Sequence, residues 1–493
     1  MLLRKIIFYI LLIFYLMACP LVLLYASGYI LRPGSEHGLV RTGLVSVSSV
    51  PPGASVYLGR KKFTKKTPAL LMDLLPGDYT ISVYLKKYRP WFRRVPVQEE
   101  QATVLEKIML VPKELEPKVL TSESFERLIP LADTAYLILL KSRQLRDVFI
   151  YEAEKRTLHP LLLDEEDAAA FGANRFLTLH HEPGSVFAVM LIDGKTGRHF
   201  LRINLRKRKK NVKALAPLKA VGTASVHWDL DTEDHLYYEQ NGDLARLDVS
   251  SGKIRPLLAQ GVRGFSVLDG RIYAVTSEDV FRLDSNGQNR QTLLGDPLLT
   301  RTLFGGHDPF DVQVLPEGHL LFWNSKGELL TNRFPHKLVE RGVLGLAVCQ
   351  EEERVAVWQK NQIAVLDFYA KEKTKKEGFE KGVTPRWVYT RGHDIRQVFW
   401  VYDDSHLLFR DGRQAVLMDL FPYGEPAVEP LAEVDPADGM AYAESTGEMY
   451  YLDPSTDRLM ALELLPKAGR MAAAFFERAK ETIRPANEKS ESA

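Results

Sequence analysis

A hairpin pattern that recurs along most of the chain is the feature that most constrains its fold. Each copy has an apolar strand, a polar turn, and a second strand that often ends in Leu-Asp or Val-Asp. The clearest pair spans residues 226–258 and 398–431, and both copies begin with Val-x-Trp and continue to a His-Leu pair. We interpret the tryptophans of this pair, Trp228 and Trp400, as markers of the first strand of a structural repeat.

Copies of this hairpin begin at residues 135, 185, 226, 271, 319, 354, 398 and 448. The spacing leaves room for four strands per repeat of about 45 residues, which is typical of a β-propeller. We therefore predict an all-β fold in which residues 119–465 form a propeller of eight blades, with seven as the alternative. A strand near 119–125 is expected to close the ring against the last hairpin. The Trp-x-x-Asp-x-x-His-Leu form resembles the propellers of TolB and its relatives, which implies a fold and little about activity.

The N-terminus carries an apolar run that bears on location. Ile6 to Tyr25 contains twenty residues without a charge, and Arg4 and Lys5 precede it. A helix of about 20 residues matches the hydrocarbon core of a bilayer, and preceding positive charges favour an N-terminus inside. We predict a cytoplasmic tip at 1–5, a transmembrane signal anchor at 6–29, and the remainder of the chain on the extracytoplasmic side of the inner or cytoplasmic membrane.

Two alternatives remain for this segment. Leu16 to Cys19 is similar to a lipoprotein processing box, which would acylate Cys19, although the chain stays apolar beyond it. Ala26 to Gly28 offers a small-residue cleavage site. All three interpretations place the bulk of the chain outside the cytoplasm. The second cysteine, Cys349, lies far from the apolar run, so no disulfide is expected.

Between a linker at 30–42 and another at 113–118, residues 43–112 show short alternating runs broken by Pro and Gly. The run at 43–50 alternates with a period of two, and "PPGA" then interrupts it with two residues that cannot donate a ladder hydrogen bond. Further runs are separated by a Pro-Gly-Asp turn. The pattern predicts a small antiparallel β-sandwich.

At these positions the chain resembles the PEGA domain, although Pro52 replaces the family's glutamate. The family implies an extracytoplasmic module of the bacterial cell envelope, with no catalysis and no agreed ligand. The residues that carry the resemblance are Pro51, Pro52, Gly53, Ala54, Thr67, Pro68, Pro76 and Gly77.

Charge is unevenly distributed between the two parts. Residues 33–113 hold 13 Lys/Arg against 6 Asp/Glu, whereas residues 121–493 hold 48 against 55. A basic hairpin could bind anionic lipid headgroups or a wall polymer, or its lysines could discourage edge pairing at a solvated tip. Its cations are Arg60, Lys61, Lys62, Lys65 and Lys66.

Two further segments are rich in cations. Residues 86–94 interleave cations with aromatics, and we interpret the aromatics as core residues; no nucleic-acid partner is expected. The basic run at 206–210 suits a solvated loop.

Residues capable of catalysis or metal binding are sparse, and we predict no catalytic, cofactor or metal site. Asp229, Asp231 and Glu233 alternate as calcium ligands can, but the loop lacks the glycine and final glutamate of a dedicated site. Adjacent residues on a strand point to opposite faces, so sequence neighbours make poor catalytic pairs. The histidine pairs considered are His180-His181, His307-Asp308 and His393-Asp394.

The C-terminus is predicted to form an amphipathic helix at 466–483 and a disordered tail at 484–493. Taken together, these features predict a membrane-anchored extracytoplasmic binding or scaffold protein whose propeller recognises an envelope protein or a cell-wall polymer. One alternative is a polymer-active hydrolase or lyase with its site in the central cleft of the propeller. Another is a structural subunit of a larger envelope complex. The sequence predicts no oligomeric state.

Overall fold

A computed structural model describes most of the chain, and all structural statements below refer to these residues. They are 2–26, 29–31, 39–163, 174–194, 197–219, 223–232, 234–306, 308–315, 318–349, 354–368, 383–402, 404–435 and 439–466. The predicted C-terminal helix and tail lie outside them, apart from the first residue of the helix.

Helix α1 (Leu2–Ala26) contains the apolar N-terminal run and has Pro20 inside it. Its apolar side chains between Ile7 and Met17 are exposed. Among the described residues, none of the helices meets the length and hydropathy needed to cross a membrane.

The chain divides into two compact units. The first contains Met1–Leu115, Asp419–Glu429 and Leu464–Ala493, and the second contains Glu116–Met418 and Pro430–Glu463. The segment Asp419–Glu429 therefore belongs to the first unit, although hundreds of residues separate it in sequence from the other described strands there.

The first unit is built from nine short strands. They are β1 (Tyr29–Leu31), β2 (Leu39–Arg41), β3 (Gly43–Val50), β4 (Ser55–Leu58), β5 (Lys61–Lys66), β6 (Ala69–Leu74), β7 (Gly77–Tyr84), β8 (Trp91–Val97) and β9 (Ala102–Met109). β1 pairs with β2, and the others form a three-stranded sheet β6-β3-β9 and a four-stranded sheet β5-β4-β7-β8. These two sheets are the predicted sandwich.

One pairing differs from the antiparallel prediction. β9 runs parallel to β3, with Leu44 opposite Ala102 and Val50 opposite Met109. Local alternation cannot reveal this, because a strand has the same alternating pattern in both orientations. The core between the sheets takes every second residue, as in β8, where Trp91, Val95 and Val97 are buried.

The second unit contains the remaining strands, apart from the last residue of the strand Gln414–Asp419 and the first two residues of the strand Val428–Glu433, which the first unit includes. They are β10 (Lys118–Ser124), β11 (Arg127–Pro130), β12 (Tyr136–Leu140), β13 (Val148–Glu152), β14 (Thr157–Pro160), β15 (Arg175–His181), β16 (Phe187–Gly194), β17 (Gly197–Asn204), β18 (Val212–Lys219), β19 (Thr223–Trp228), β20 (His235–Gln240), β21 (Asp243–Asp248), β22 (Lys253–Ala259), β23 (Gly264–Leu268), β24 (Arg271–Val275), β25 (Val280–Asp284), β26 (Gln291–Leu294), β27 (Phe310–Val314), β28 (Leu320–Asn324), β29 (Leu329–Thr331), β30 (Lys337–Val339), β31 (Gly345–Cys349), β32 (Arg354–Trp358), β33 (Ile363–Asp367), β34 (Arg386–Tyr389), β35 (Ile395–Val401), β36 (His406–Asp411), β37 (Gln414–Asp419), β38 (Val428–Glu433), β39 (Met440–Ala443), β40 (Glu448–Leu452) and β41 (Arg458–Glu463). A 3₁₀ turn (Leu145–Asp147) and helix α2 (Pro297–Phe304) lie between strands.

These strands form eight four-stranded sheets in the described residues, seven of them consecutive meanders from β11-β12-β13-β14 to β35-β36-β37-β38. The eighth has the order β10-β41-β40-β39, so a strand from the start of the unit completes the last sheet. Neighbouring sheets meet through first strands, and β39 contacts both β35 and β11. This is the closed ring of a propeller, with the favoured count of eight blades and the closing strand where the sequence predicts it.

Apolar side chains between neighbouring sheets hold the ring together. The sheets that begin with β11 and β15 share a buried cluster that includes Ile138, Ile150, Met190 and Leu201. The last sheet packs on the first in the same way, through residues such as Tyr450. The central residues of β12, β20 and β36 are buried on both faces, because each sheet lies between two others.

Candidate functional site

Several PEGA-like motif residues join the loop after β3 to Thr67 by hydrogen bonds. The main chain of Thr67 exchanges hydrogen bonds with the loop that follows β3: the Gly53 amide donates to the Thr67 carbonyl, and the Thr67 amide donates to the Ala54 carbonyl, both at 2.8 Å. The Thr67 hydroxyl accepts from the Ala54 amide at 2.9 Å. Gly53 has a φ of +84°, a conformation that favours glycine.

The prolines of the motif occupy turn positions next to these hydrogen bonds. Pro52 and Pro68 are exposed, and the carbonyl of Pro51 accepts a hydrogen bond from the Ser49 hydroxyl at 2.8 Å. Pro76 and Gly77 lead into β7. A solvent-facing side chain at position 52 explains why proline can stand where the family has glutamate. The motif is therefore structural.

The basic hairpin is a strand at a sheet edge. Among the described strands β5 pairs with β4 alone. Four of the five predicted cations lie on β5, and Arg60 lies in the preceding turn. All five side chains are exposed. Lys62 lies opposite Tyr57 and Lys66 lies opposite Ser55. The Nζ atom of Lys62 is 5.9 Å from the centre of the Tyr57 ring.

The interleaved cations and aromatics at 86–94 divide between the two faces of β8. Trp91 and Arg93 are buried on the inner face, as the core interpretation predicted for the aromatic residue. Both contact Asp419: the Trp91 indole donates at 2.9 Å, and the Arg93 guanidinium pairs at 2.5 Å and 2.7 Å. Phe92 and Arg94 are exposed on the outer face. Sequence reasoning missed Asp419, because nothing local to it signals a partner 326 residues away.

In the propeller, three of its first strands bring titratable side chains together. The Nδ1 atom of His227, in β19, lies 2.7 Å from a carboxylate oxygen of Glu182, which follows β15. Burial opposes the charged imidazole, but Glu182 and then Asp311 of β27 outweigh it, so the pKa of His227 is raised. Burial lowers the pKa of His180, and the charge of His227 lowers it further.

A small cavity lies beside this cluster. Its walls include His180, His181, Glu182 and Trp228. Burial is the main cause that lowers the pKa of His181, whose Nε2 atom lies 3.0 Å from the Ser185 carbonyl. Of the three histidine pairs singled out in the sequence, His180-His181 lies beside further titratable side chains, those of His227 and Glu182. The signal was available in the repeat, since first strands and the residues next to them lie nearest the centre of a propeller.

The other candidates that the structure describes serve local structure. Asp229 is buried, and its carboxylate accepts from the Asp231 amide at 3.1 Å, which closes the turn. Glu233 and His307 lie outside the described residues. His393 is exposed, and its amide donates to Asp411 at 2.7 Å. Among the described residues, no group of three His, Cys, Asp or Glu side chains is arranged to hold a metal ion.

The basic run at 206–210 is exposed between β17 and β18, as predicted for a solvated loop. The side chain of Asn204 accepts from the amides of Arg206 and Lys207, at 3.0 Å and 3.2 Å, and so orders the start of that loop.

Both marker tryptophans lie on first strands and contact the preceding sheet. Trp228 ends β19 and stacks on Phe187 of β16, with ring centres 5.2 Å apart. Trp400 of β35 donates from its indole nitrogen to the Ala347 carbonyl of β31 at 2.8 Å. The repeat that these residues marked in the sequence is therefore a sheet-to-sheet contact.

Residues 42–111 match the PEGA domain family. No curated protein matches the chain. Similar solved structures include the β-propeller domain of Cps50 (Swd1) from Myceliophteria thermophila, at 11% identity and a TM-score of 0.35, covering 71% of this chain and 99% of that one. YCF48 from Cyanidioschyzon merolae is 12% identical with a TM-score of 0.40, covering 70% and 98%. Because these TM-scores are low, we assign the propeller fold from the order of the strands in the sheets.

Proposed function

We propose that this chain is a membrane-anchored, extracytoplasmic binding or scaffold protein of the bacterial cell envelope, and that its propeller is the recognition platform. The observation that carries the proposal is the closed ring of eight sheets, completed by the pairing of β10 with β41. A closed ring is rigid, so its exposed loops can bind a partner without a large ordering cost. The partner class is an envelope protein or a wall polymer.

The location rests on the two N-terminal features. The charge-free run from Ile6 to Tyr25 follows Arg4 and Lys5, which favours a cytoplasmic N-terminus and an anchor in the inner membrane. The PEGA match at residues 42–111 supports an extracytoplasmic position for the sandwich and the propeller. Acylation of Cys19 is the alternative form of anchoring, and it leaves the rest of the chain on the same side.

A polymer-active hydrolase or lyase is the second candidate, and the pairing of His227 with Glu182 is the observation that favours it. An imidazole on one first strand and a carboxylate directly after another could act as acid and base on a polymer in the central cleft. Binding remains the stronger proposal, because these two groups are occupied with each other and the adjoining cavity is small.

Crosslinking in intact cells tests the proposal, with enrichment of this protein and mass spectrometry of the molecules attached to it. We expect one protein partner at a constant molar ratio, crosslinked to loop residues of the propeller. A matched control is the His227→Gln variant, which removes the acid–base pair and should retain the partner. Recovery of shortened polymer products that disappear in this variant would contradict the binding proposal and favour the enzyme. Attachment to several constant neighbours would identify a subunit of a larger complex.

A further inference from the structure

The outer face of the four-stranded sheet in the sandwich carries lysine, serine and aromatic side chains that the proposed function of the propeller does not use. Pairing registers define two rows across it. One row contains Lys62, Tyr57, Ser82 and Phe92. In the next row, Lys66 lies opposite Ser55, and Ser55 lies opposite Tyr84.

Three aromatic positions in these rows form a triangle, with Tyr57 and Phe92 in one row and Tyr84 in the next. Tyr57 and Phe92 lie on strands separated by one strand, so their backbones are about 10 Å apart, and Tyr84 lies between them on β7. Phe92 is 67% exposed and Tyr84 is 44% exposed. Exposed aromatic rings on a sheet are costly to keep in water and are typical of a binding surface.

Cations border this aromatic triangle on the β5 side. No described acidic side chain forms an ion pair with Lys62 or Lys66, whereas Arg94 on the opposite side pairs with Asp78 at 3.0 Å. Ser55 lies between Lys66 and Tyr84 in its row, and Ser82 lies between Tyr57 and Phe92 in the other. The face thus combines flat apolar rings, hydroxyl groups and unpaired positive charge within two adjacent rows.

We propose that this outer face binds a linear anionic polysaccharide. Sugar rings present flat faces of C–H groups that pack on aromatic rings, their hydroxyls match serine side chains, and their acid groups complement Lys62 and Lys66. Anionic lipid headgroups are attracted by the lysines, whereas a sugar chain also uses the serine hydroxyls that lie beside the rings of the aromatic triangle. The site lies entirely within the first unit and is independent of what the propeller binds.

The test uses the full-length chain in detergent and polygalacturonate, which carries a carboxylate on each sugar, as the probe. We expect saturable binding that weakens as salt rises. Two variants, Tyr84→Ser with Phe92→Ser and Lys62→Gln with Lys66→Gln, should each weaken it by about tenfold or more, consistent with stacking and charge terms above 1 kcal/mol.

Matched controls remove the same groups elsewhere in the sandwich. Leu70→Ser with Met72→Ser removes exposed apolar side chains from the other sheet, and Lys86→Gln with Lys113→Gln removes two exposed charges. We expect both to change the affinity by less than about twofold. All substituted side chains are exposed, so unchanged melting temperatures will show that the variants fold.

Each of three outcomes would overturn the inference. Binding that is unaffected by the aromatic variant, or equal binding of inorganic polyphosphate, would mean charge attraction only. Binding of phosphatidylglycerol vesicles that depends on the lysines but not on the rings, without polygalacturonate binding, would mean a membrane contact. Absence of polygalacturonate binding would also overturn it. The crosslinked partner of the propeller is expected in all three cases, so this inference and the proposed function can fail separately.

Discussion

Asp419 forms a buried ion pair in the interior of the first unit. Its carboxylate accepts from both Arg93 and Trp91, and the side chains of Arg93 and Asp419 are 3% and 2% exposed. Removing one partner of a buried ion pair typically costs about 3–5 kcal/mol, because a desolvated charge is left without compensation. We expect Asp419→Asn to lower the local opening free energy of the amides in β8 by about this amount, measured by hydrogen exchange.

The control is Asp78→Asn. Asp78 lies in β7, and its substitution breaks the exposed ion pair with Arg94, which lies in β8 next to Arg93. Exposed pairs contribute about 0–1 kcal/mol, so exchange in β8 should change little. Equal effects of the two substitutions would contradict the role assigned to Asp419.

His227 should make the propeller sensitive to pH. Its pKa is raised in the folded state above the ordinary value of 6.5. A raised pKa contributes stability that is fully present below pH 6.5 and is lost as the pH rises through the folded-state value. We expect Glu182→Gln to bring the pKa of His227 below its ordinary value, because burial then dominates, and to remove this loss. NMR titration of the imidazole and unfolding across this range measure both effects.

Glu126→Gln provides the comparison, since Glu126 is exposed and follows the closing strand of the same unit. Its substitution should leave the titration of His227 unchanged. A folded-state pKa of His227 that is indifferent to Glu182 would show that the 2.7 Å contact is not what raises it.

At this scale the sequence predicts the positions of side chains better than their partners. The interpretation of the aromatics at 86–94 as core residues is correct for Trp91, although Phe92 is exposed. The repeat places Trp228 and Trp400 on first strands. The partner of Arg93 could not be predicted, because it is 326 residues away and the pairing depends on tertiary structure. The contact of His227 with Glu182 likewise depends on which strands become neighbours.

The closing strand β10 is the element that joins the two ends of the propeller. Lys118 and Val119 pair with Ala461 and Met460 of β41, and the Leu459 amide donates to the Thr121 hydroxyl at 3.2 Å. Replacing residues 118–124 by a Gly/Ser sequence of equal length should speed amide exchange in β41 by about tenfold or more, which is about 1.4 kcal/mol of local stability. Flexible residues lack the side chains and strand propensity that hold the edge.

Replacing residues 113–117 in the same way is the control, because they precede the strand and should leave β41 protected. Protection of β41 that survives replacement of β10 would contradict closure by this strand. Closure was predictable from sequence, since the last hairpin needs a further strand and residues 119–125 belong to none of the other hairpins. The parallel pairing of β9 with β3 was not, because alternation carries no direction.

For the whole molecule, the sequence predicts the order of the parts: an apolar helix, a small sandwich and a ring of sheets. It also separates a basic module from a mildly acidic one. It does not predict that Asp419–Glu429 belongs to the first unit. The assignment of this segment to the first unit depends on tertiary structure. The local sequence at 419–429 has only the pattern of an ordinary loop between two strands.

Labelling of a cysteine on the basic strand in intact cells tests the central claim most directly, since every proposed partner lies outside the cytoplasm. In Lys62→Cys the thiol is exposed, whereas Cys349 is buried and serves as an internal control that reacts only after unfolding. We predict that a membrane-impermeant maleimide modifies position 62 in intact cells whose outer barrier has been opened. Modification only after lysis of the cytoplasmic membrane would contradict the extracytoplasmic placement.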